Sequence, residues 1–239
     1  MMDSNNELNF TGEFFIPGKS GERIEADHIE RYRFACRFAQ GKSVLDIACG
    51  VGYSGPMFMQ AGAVSYDGVD INRKLIEYAD KTYGSELINY SVGDICTFSN
   101  NKLYDLIACF ETIEHILNFE TAIQNLYVLL KPGGILIISS PNRIITSPKC
   151  KTLNSKPSNE FHTQEFIPVE LLSILNKIGF IADSKSLYGQ RQRTKIYKNR
   201  YFRKIIYTIF GNPDVNKSPE VTPVTDKTPR YFVVIAKKH

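Results

Sequence analysis

Apolar and polar positions along the chain follow two alternating periods, and the switches between them define a repeating unit. From Glu22 to about Gln40 the apolar positions Ile24, Ile29, Tyr32, Cys36 and Phe38/Ala39 share one helical face, and Gly41 supplies the stop. Short apolar runs follow at 43–48, 64–69, 87–92, 103–109 and 135–140, each of a length that suits a buried strand. Helical patterns fill three of the intervals: about 53–61, from a cap at Asn72 to Tyr83, and about Phe119 to Leu130. Strands separated by helical segments imply right-handed crossovers and a mostly parallel sheet with helices on both faces. Ligands then lie at the carboxyl ends of the strands.

The second half is less regular. Residues 141–166 begin with a stretch rich in Pro, Ser, Asn and Lys and read as a loop at that same carboxyl edge, the usual place for a substrate lid. A short amphipathic helix over Pro168–Ile178 stops at Gly179, 180–187 is a sixth strand, and 231–236 is the last. Between them lies an insertion, 188–229. From Lys185 to Pro213 the chain carries eight Lys or Arg and no acid, and a helix is expected from Thr194 to Phe210. That helix would pack Tyr197, Tyr201, Phe202, Ile205, Ile206 and Ile209 on the domain, or its charges would meet a nucleotide diphosphate, a polyanionic chain or an anionic membrane surface.

The first strand runs into Asp46-Ile47-Ala48-Cys49-Gly50-Val51-Gly52-Tyr53. A strand that ends at a glycine turn and hands over to a helix presents backbone N–H groups and a positive helix end to a ligand. Gly50, Gly52 and Gly55 fit the G-x-G-x-x-G spacing of dinucleotide sites, but a carboxylate at Asp46 repels a pyrophosphate and suits an ammonium group. The expected architecture is α/β and Rossmann-like, with a mostly parallel seven-stranded sheet, helices on both faces and a basic helical insertion before the last strand. One domain over 1–239 is expected: a cap segment at 1–40, a cofactor core at 41–140, the lid at 141–166 and the insertion at 188–229.

The string Val44-Leu45-Asp46-Ile47-Ala48-Cys49-Gly50-Val51-Gly52 resembles motif I of the class I S-adenosylmethionine-dependent methyltransferases, V-L-D-x-G-C-G-x-G. Ala48 stands where that motif has its first glycine. Three further motifs follow in the family's order: Asp70 after strand two, Gly93-Asp94-Ile95 after strand three, and Lys131-Pro132-Gly133-Gly134 before strand five. The resemblance implies S-adenosylmethionine as cofactor, held by Asp46, Ala48, Gly50, Gly52, Asp70, Ile71, Asp94, Ile95 and Phe110. Asp70 would take the ribose hydroxyls, Asp94 the adenine amino group, and Phe110 would cover the adenine or offer a carbonyl near the methionine part. A reductase reading explains the glycines and Asp70 but not the last two motifs. Tyr127 and Lys131 match Y-x-x-x-K, yet Tyr127 sits at the end of an apolar helix and reads as packing.

Methyl transfer to a hydroxyl needs alignment and a group to take the proton. Just past strand four, Glu111-Thr112-Ile113-Glu114-His115 offers His115 as general base, with Glu111 to orient it or to bind an ammonium. His162, in Phe161-His162-Thr163-Gln164-Glu165, would face the same methyl group. Glu111, Glu114 and His115 at i, i+3, i+4 can share a helical face, and with His162 they could hold a divalent ion. That pattern resembles the metal site of small-RNA terminal 2′-O-methyltransferases, while E-x-x-E-H also resembles metal-free ubiquinone-type O-methyltransferases. The metal is not the favoured reading.

Ser140-Pro141-Asn142-Arg143, the segment 159–166, and Phe14-Phe15-Ile16-Pro17-Gly18 with His28, Arg31, Tyr32 and Arg33 resemble methyltransferases of surface-polysaccharide biosynthesis. A sugar, nucleotide-sugar or glycan acceptor is therefore expected. RNA with a metal, a quinone-like small molecule, and a non-catalytic cofactor-binding subunit are the alternatives. Phe15, His28, Arg31 and Tyr32 would lie over the cofactor.

Composition narrows this little further. With 239 residues and 43% hydrophobic content the chain can bury one sizeable core, and a net charge of +4 does not by itself call for nucleic acid. The five cysteines are odd in number and form no C-x-x-C pair, which reads as reduced core thiols. Met1–Glu7 is polar, no apolar run has the length of a membrane span, and a soluble cytoplasmic protein is expected.

Overall fold

A computed structural model describes residues 18, 21–193, 200–210 and 218–239. The repeating unit appears as α1 (Glu22–Cys36), β1 (Ser43–Ile47), α2 (Ser54–Gln60), β2 (Ser65–Asp70), α3 (Arg73–Tyr83), β3 (Ile88–Val92), β4 (Tyr104–Cys109), α4 (Phe119–Leu129) and β5 (Leu130–Pro141). After it come α5 (Arg143–Thr146), α6 (Pro168–Ile178), β6 (Phe180–Ile181), β7 (Leu187–Gln190), α7 (Arg200–Phe210), β8 (Thr222–Pro223) and β9 (Tyr231–Lys238). Asn72 caps α3 as its spacing predicts, its side chain accepting from the Lys74 amide at 3.0 Å.

The strands form one sheet in the order β3-β2-β1-β4-β5-β9-β7-β8, with β6 also paired to β9. The five strands from β3 to β5 are parallel, and β6, β7, β8 and β9 make antiparallel pairs. The α/β architecture is as expected, but among the described residues the sheet has nine strands rather than seven. The predicted strand 180–187 is broken because Asp183 accepts the amides of Lys185 and Ser186 and winds 184–186 into a 3₁₀ turn. β8 is a two-residue strand supplied by the insertion.

Side chains alternate across the sheet into two cores. Val44, Leu106 and Ala108 join Tyr32, Phe34 and Ala35 of α1 and Phe58 of α2 on one face. Leu45, Ile107 and Cys109 join Ile123 and Leu126 of α4 and Leu171 and Leu175 of α6 on the other. Tyr127 packs as expected, edge-on to Phe180 with ring centroids 5.0 Å apart. Since β2 and β4 flank β1 on opposite sides, the chain reverses direction across the sheet beside β1. The crevice outside the strand ends opens there.

The loop 147–163 is tied at its ends. Arg143, buried, donates to the Glu165 carbonyl at 2.6 Å and forks onto the Glu170 carboxylate at 2.6 and 2.8 Å. Asn142 donates to the Pro229 carbonyl at 2.9 Å. Ser140-Pro141-Asn142-Arg143 thus fastens this loop and the start of β9 to the end of β5. In α7, Phe202, Ile205 and Ile209 are exposed, so the expected packing of those residues on the domain does not occur. Tyr197 and the predicted helix start at Thr194 lie outside the described residues. No described helix is long and apolar enough to cross a membrane.

Candidate active site

A cavity of about 940 Å³ lies at the carboxyl ends of β1, β2, β3, β4 and β5. Ala48, Cys49 and Gly50 line it after β1, Asp70 and Ile71 after β2, Gly93, Asp94 and Ile95 after β3, and Phe110 and Glu111 after β4. These are successive strand ends, which is why residues so far apart in sequence meet. Ala48 takes φ +62°, the left-handed conformation for which the resembled motif has glycine, and Glu111 takes φ +48°. Non-glycine residues in that region carry about 1–3 kcal/mol of strain, and both here face the cavity.

Two predicted cofactor residues do not line the cavity. Asp46 is fully buried beneath the loop and accepts hydrogen bonds from Tyr32 Oη at 3.1 Å, Ser54 Oγ at 2.5 Å and Tyr66 Oη at 3.0 Å. It ties β1 to α1, α2 and β2 and is not among the residues that line the cavity. Gly52 lies under the turn, where an added Cβ would stand 2.5 Å from both Ala79 Cβ and the Tyr90 ring.

Burial pushes the Asp46 carboxyl up to about 7, against the pull of the three hydroxyls. The folded chain therefore holds this proton to higher pH than the unfolded chain, whose ordinary value is 3.8. Asp46 thus removes stability as pH rises from about 4 to about 7, a change on the order of 4 kcal/mol. We expect urea midpoints of the wild type to fall between pH 5 and pH 8 by more than those of Asp46→Asn. Equal falls in the two proteins would show that Asp46 ionises normally.

Asp70 accepts the Gly50 amide at 2.9 Å on one oxygen and the Asn72 amide at 2.8 Å on the other, which ties the glycine loop to the end of β2. Asp94 caps its own turn through the Cys96 amide at 2.8 Å, while Ile95 beside it is buried. Phe110 packs edge-on to Tyr32 at 5.0 Å. His28, Arg31 and Tyr32 of α1 also line the cavity; Phe15 lies outside the described residues. Burial, then Arg31, hold His28 well below the usual imidazole range.

The polar wall is built from β4, β5 and the loop. Glu111 precedes the 3₁₀ turn Ile113–His115 rather than sharing a helical face with Glu114 and His115. Its carboxylate accepts from Ser139 Oγ at 2.7 Å and lies 3.9 Å from Arg31 Nη1. Gln164 donates to the carbonyls of Ile113 and Ile116 at 2.8 and 2.9 Å, and the Thr163 amide donates to that of Glu114 at 2.9 Å. This stitching brings the His115 and His162 rings to 4.8 Å, edge to face.

The two histidines differ in what they can do. His115 Nδ1 lies 2.9 Å from the Phe161 carbonyl, an acceptor only, so Nδ1 carries the proton and Nε2 is the basic nitrogen. His162 has both nitrogens engaged: Nε2 with the Asn159 amide at 2.9 Å and Nδ1 with Glu165 at 2.7 Å. Burial raises the Glu165 carboxyl, but hydrogen bonds from His162, Thr146 and Ser147 together hold it below the usual range. Both ring nitrogens of His162 are thus held within the wall. Glu114, His115 and His162 place one ligand atom each within 4.8 Å of one another; Glu111 is not in this group. Glu114 is 1% exposed and its Oε2 has no hydrogen-bond partner among the described residues. Burial, and then Glu111, push its carboxyl well above the usual range.

Sequence reading missed Ser139, Asn159, the Phe161 carbonyl, and Arg230 and Tyr231 at the start of β9, all placed in or beside the cavity. Only Ser139-Ser140, two polar residues ending an apolar strand, carried a local signal.

A family model described as "Methyltransferase domain" matches residues 23–185, more than half of the chain. The chain belongs to the class I S-adenosylmethionine-dependent methyltransferases. A "Probable S-adenosylmethionine-dependent methyltransferase" of Mycolicibacterium smegmatis is 31% identical over 183 residues, 72% of this chain and 65% of that protein. A "Ubiquinone biosynthesis O-methyltransferase" of Rickettsia prowazekii is 36% identical over 146 residues, 59% of this chain and 56% of that one. The chain thus spans from about half to just under two thirds of these curated relatives. In fold it is similar to the N-methyltransferase NodS of Bradyrhizobium japonicum in complex with S-adenosylhomocysteine. There the TM-score is 0.59 at 16% identity, covering 93% of each chain. The methyltransferase cavity fits such a cofactor through its donor set: a glycine-loop backbone and carboxylates at two neighbouring strand ends.

Proposed function

We propose that the chain methylates a hydroxyl group of a sugar or glycan, with His115 as general base. Asp70 and Ile71 would hold the ribose, Asp94 and Ile95 the adenine, and Ala48 to Gly50 with Phe110 the methionine part of the cofactor. S-adenosylmethionine, when bound, supplies a methyl group on a positively charged sulfur that leaves as a neutral thioether. The acceptor oxygen gains the methyl carbon, and the hydroxyl proton passes to His115 Nε2.

The observation that carries this reading is the bond from His115 Nδ1 to the Phe161 carbonyl, which makes Nε2 basic in a residue lining the cavity. Glu111, held by Ser139 and beside Arg31, would take an ammonium or an acceptor hydroxyl. Asn159, Arg31 and Arg230 give the wall the hydrogen-bond donors that a polyhydroxylated acceptor needs. Residues 141–166 serve as the acceptor's lid.

One observation favours a second reading. The unpartnered Glu114 Oε2 beside His115 and His162 suits a divalent ion that would polarise neighbouring hydroxyls, at the cost of the contact between His162 and Asn159. A labelled-methyl assay separates the two. Nucleotide sugars, a polysaccharide, a phenolic quinone precursor and a short RNA are offered, each with a chelator and with manganese. Label in a carbohydrate, unchanged by chelator, supports the first reading. Label only with manganese supports the second, and label in the phenol alone overturns the sugar.

A further inference from the structure

The insertion carries a surface that methyl transfer leaves unused. On α7, Phe202, Ile205 and Ile209 fall at i, i+3, i+7 on one helical stripe and are 56%, 54% and 64% exposed. Lys204 of the same helix is exposed. From Lys195 to Lys204 the chain holds five Lys or Arg and no acid, whereas Arg191 and Arg193, where the insertion begins, are buried, Arg191 against Asp27, and form no part of this surface. Three large apolar side chains on one stripe are a costly surface to leave in water, and an all-cationic segment beside them restricts what can cover it.

Charge decides among the occupants. A second copy of this chain would set one cationic segment against another. An apolar groove on a protein would satisfy the stripe but not the five cations between Lys195 and Lys204. An anionic phospholipid surface satisfies both: the apolar stripe enters the boundary of the acyl chains while Lys and Arg meet the headgroup phosphates. We propose that α7 docks this protein onto an anionic phospholipid surface.

The connection to the rest of the fold fits that role. Arg193 and Thr228 close the neck of the insertion, exchanging backbone hydrogen bonds at 2.8 Å. Two and three residues later, Arg230 and Tyr231 line the active-site cavity. Ile24, Leu117 and Phe161, which also line it, are exposed. The neck of the insertion therefore lies two residues from a cavity whose lining includes exposed apolar side chains. This inference does not depend on which hydroxyl is methylated.

The test is co-sedimentation of the full chain with vesicles of phosphatidylcholine alone and of phosphatidylcholine mixed equally with phosphatidylglycerol. We expect partition onto the anionic vesicles to be about tenfold stronger or more, and to fall with added salt. The double variant Ile205→Ser/Ile209→Ser should lose about tenfold, and Lys204→Glu less, while both keep wild-type affinity for S-adenosylhomocysteine. The chain contains no tryptophan, so Phe202→Trp provides a single reporter whose emission shifts to the blue when the stripe enters lipid. Overturning results are the absence of sedimentation and blue shift with anionic vesicles, or vesicle binding that the serine variant leaves intact. A dimer in sedimentation velocity that the serine variant abolishes would also overturn it, by giving the stripe to a second copy.

Discussion

Replacing His115 by asparagine is expected to lower kcat by about 10²–10⁴-fold while leaving affinity for S-adenosylhomocysteine unchanged. Asparagine keeps a side-chain amide that can donate to the Phe161 carbonyl, the partner of Nδ1 in the wild type. The wall therefore stays assembled and only the basic nitrogen is lost. Because protonation of the imidazole removes the base, the wild-type rate should fall on the acid side of its pH profile, and that limb should vanish in the variant. His162→Asn makes the contrast. Its nitrogens already serve Asn159 and Glu165, so the change loosens the wall and should raise KM more than it lowers kcat. If His115→Asn keeps wild-type kcat, proton transfer to His115 is not part of the reaction. If instead the activity of both variants returns with added manganese, the pair acts on a metal.

What could be read from the sequence was whatever is encoded by neighbours along the chain. The strand ends, the Asn72 cap, the Gly179 stop and the glycine loop depend on residues within a few positions, and each falls within a few residues of where its pattern predicts. The broken sixth strand was also locally encoded, by Asp183 before Ser184 and Ser186, but the flanking apolar residues outweighed it. What stayed hidden depends on partners far away in sequence. Asp46 looks like a ligand residue because its burial comes from Tyr32, Ser54 and Tyr66, supplied by three other elements. The tautomer of His115 is set by a backbone carbonyl 46 residues away, and backbone carbonyls have no letter in the sequence. Arg31 reaches Gln190 across 159 residues at 2.7 Å, so nothing near either residue announces the pairing. The same distinction applies to α7. Its amphipathic pattern is local and readable, whereas whether its apolar stripe is covered depends on the rest of the fold.

Gly52→Ala is expected to destabilise the fold by about 3 kcal/mol or more, and Gly50→Ala by about 1 kcal/mol, although both glycines belong to one loop and both take positive φ. The backbone cost is similar, since φ is +76° at Gly52 and +58° at Gly50. The difference lies in the space each would fill. A Cβ on Gly50 meets nothing within 4 Å, whereas one on Gly52 meets Ala79 Cβ and the Tyr90 ring at 2.5 Å. Ala79 is fully buried in α3 and cannot swing aside, and Tyr90 is tethered by its hydroxyl to the Gly52 carbonyl. Relief must come from moving the loop away from α3, which carries Gly50 and its bond to Asp70 with it. Affinity for S-adenosylhomocysteine should therefore fall together with stability in Gly52→Ala. Gly50 lines the cavity and Gly52 does not, so Gly50→Ala can weaken binding with little loss of stability. Urea unfolding and calorimetric titration of the two variants measure both quantities. Equal losses of stability would mean that the loop lifts off α3 freely, and the buried face of Gly52 would then not be what holds the cofactor turn in place.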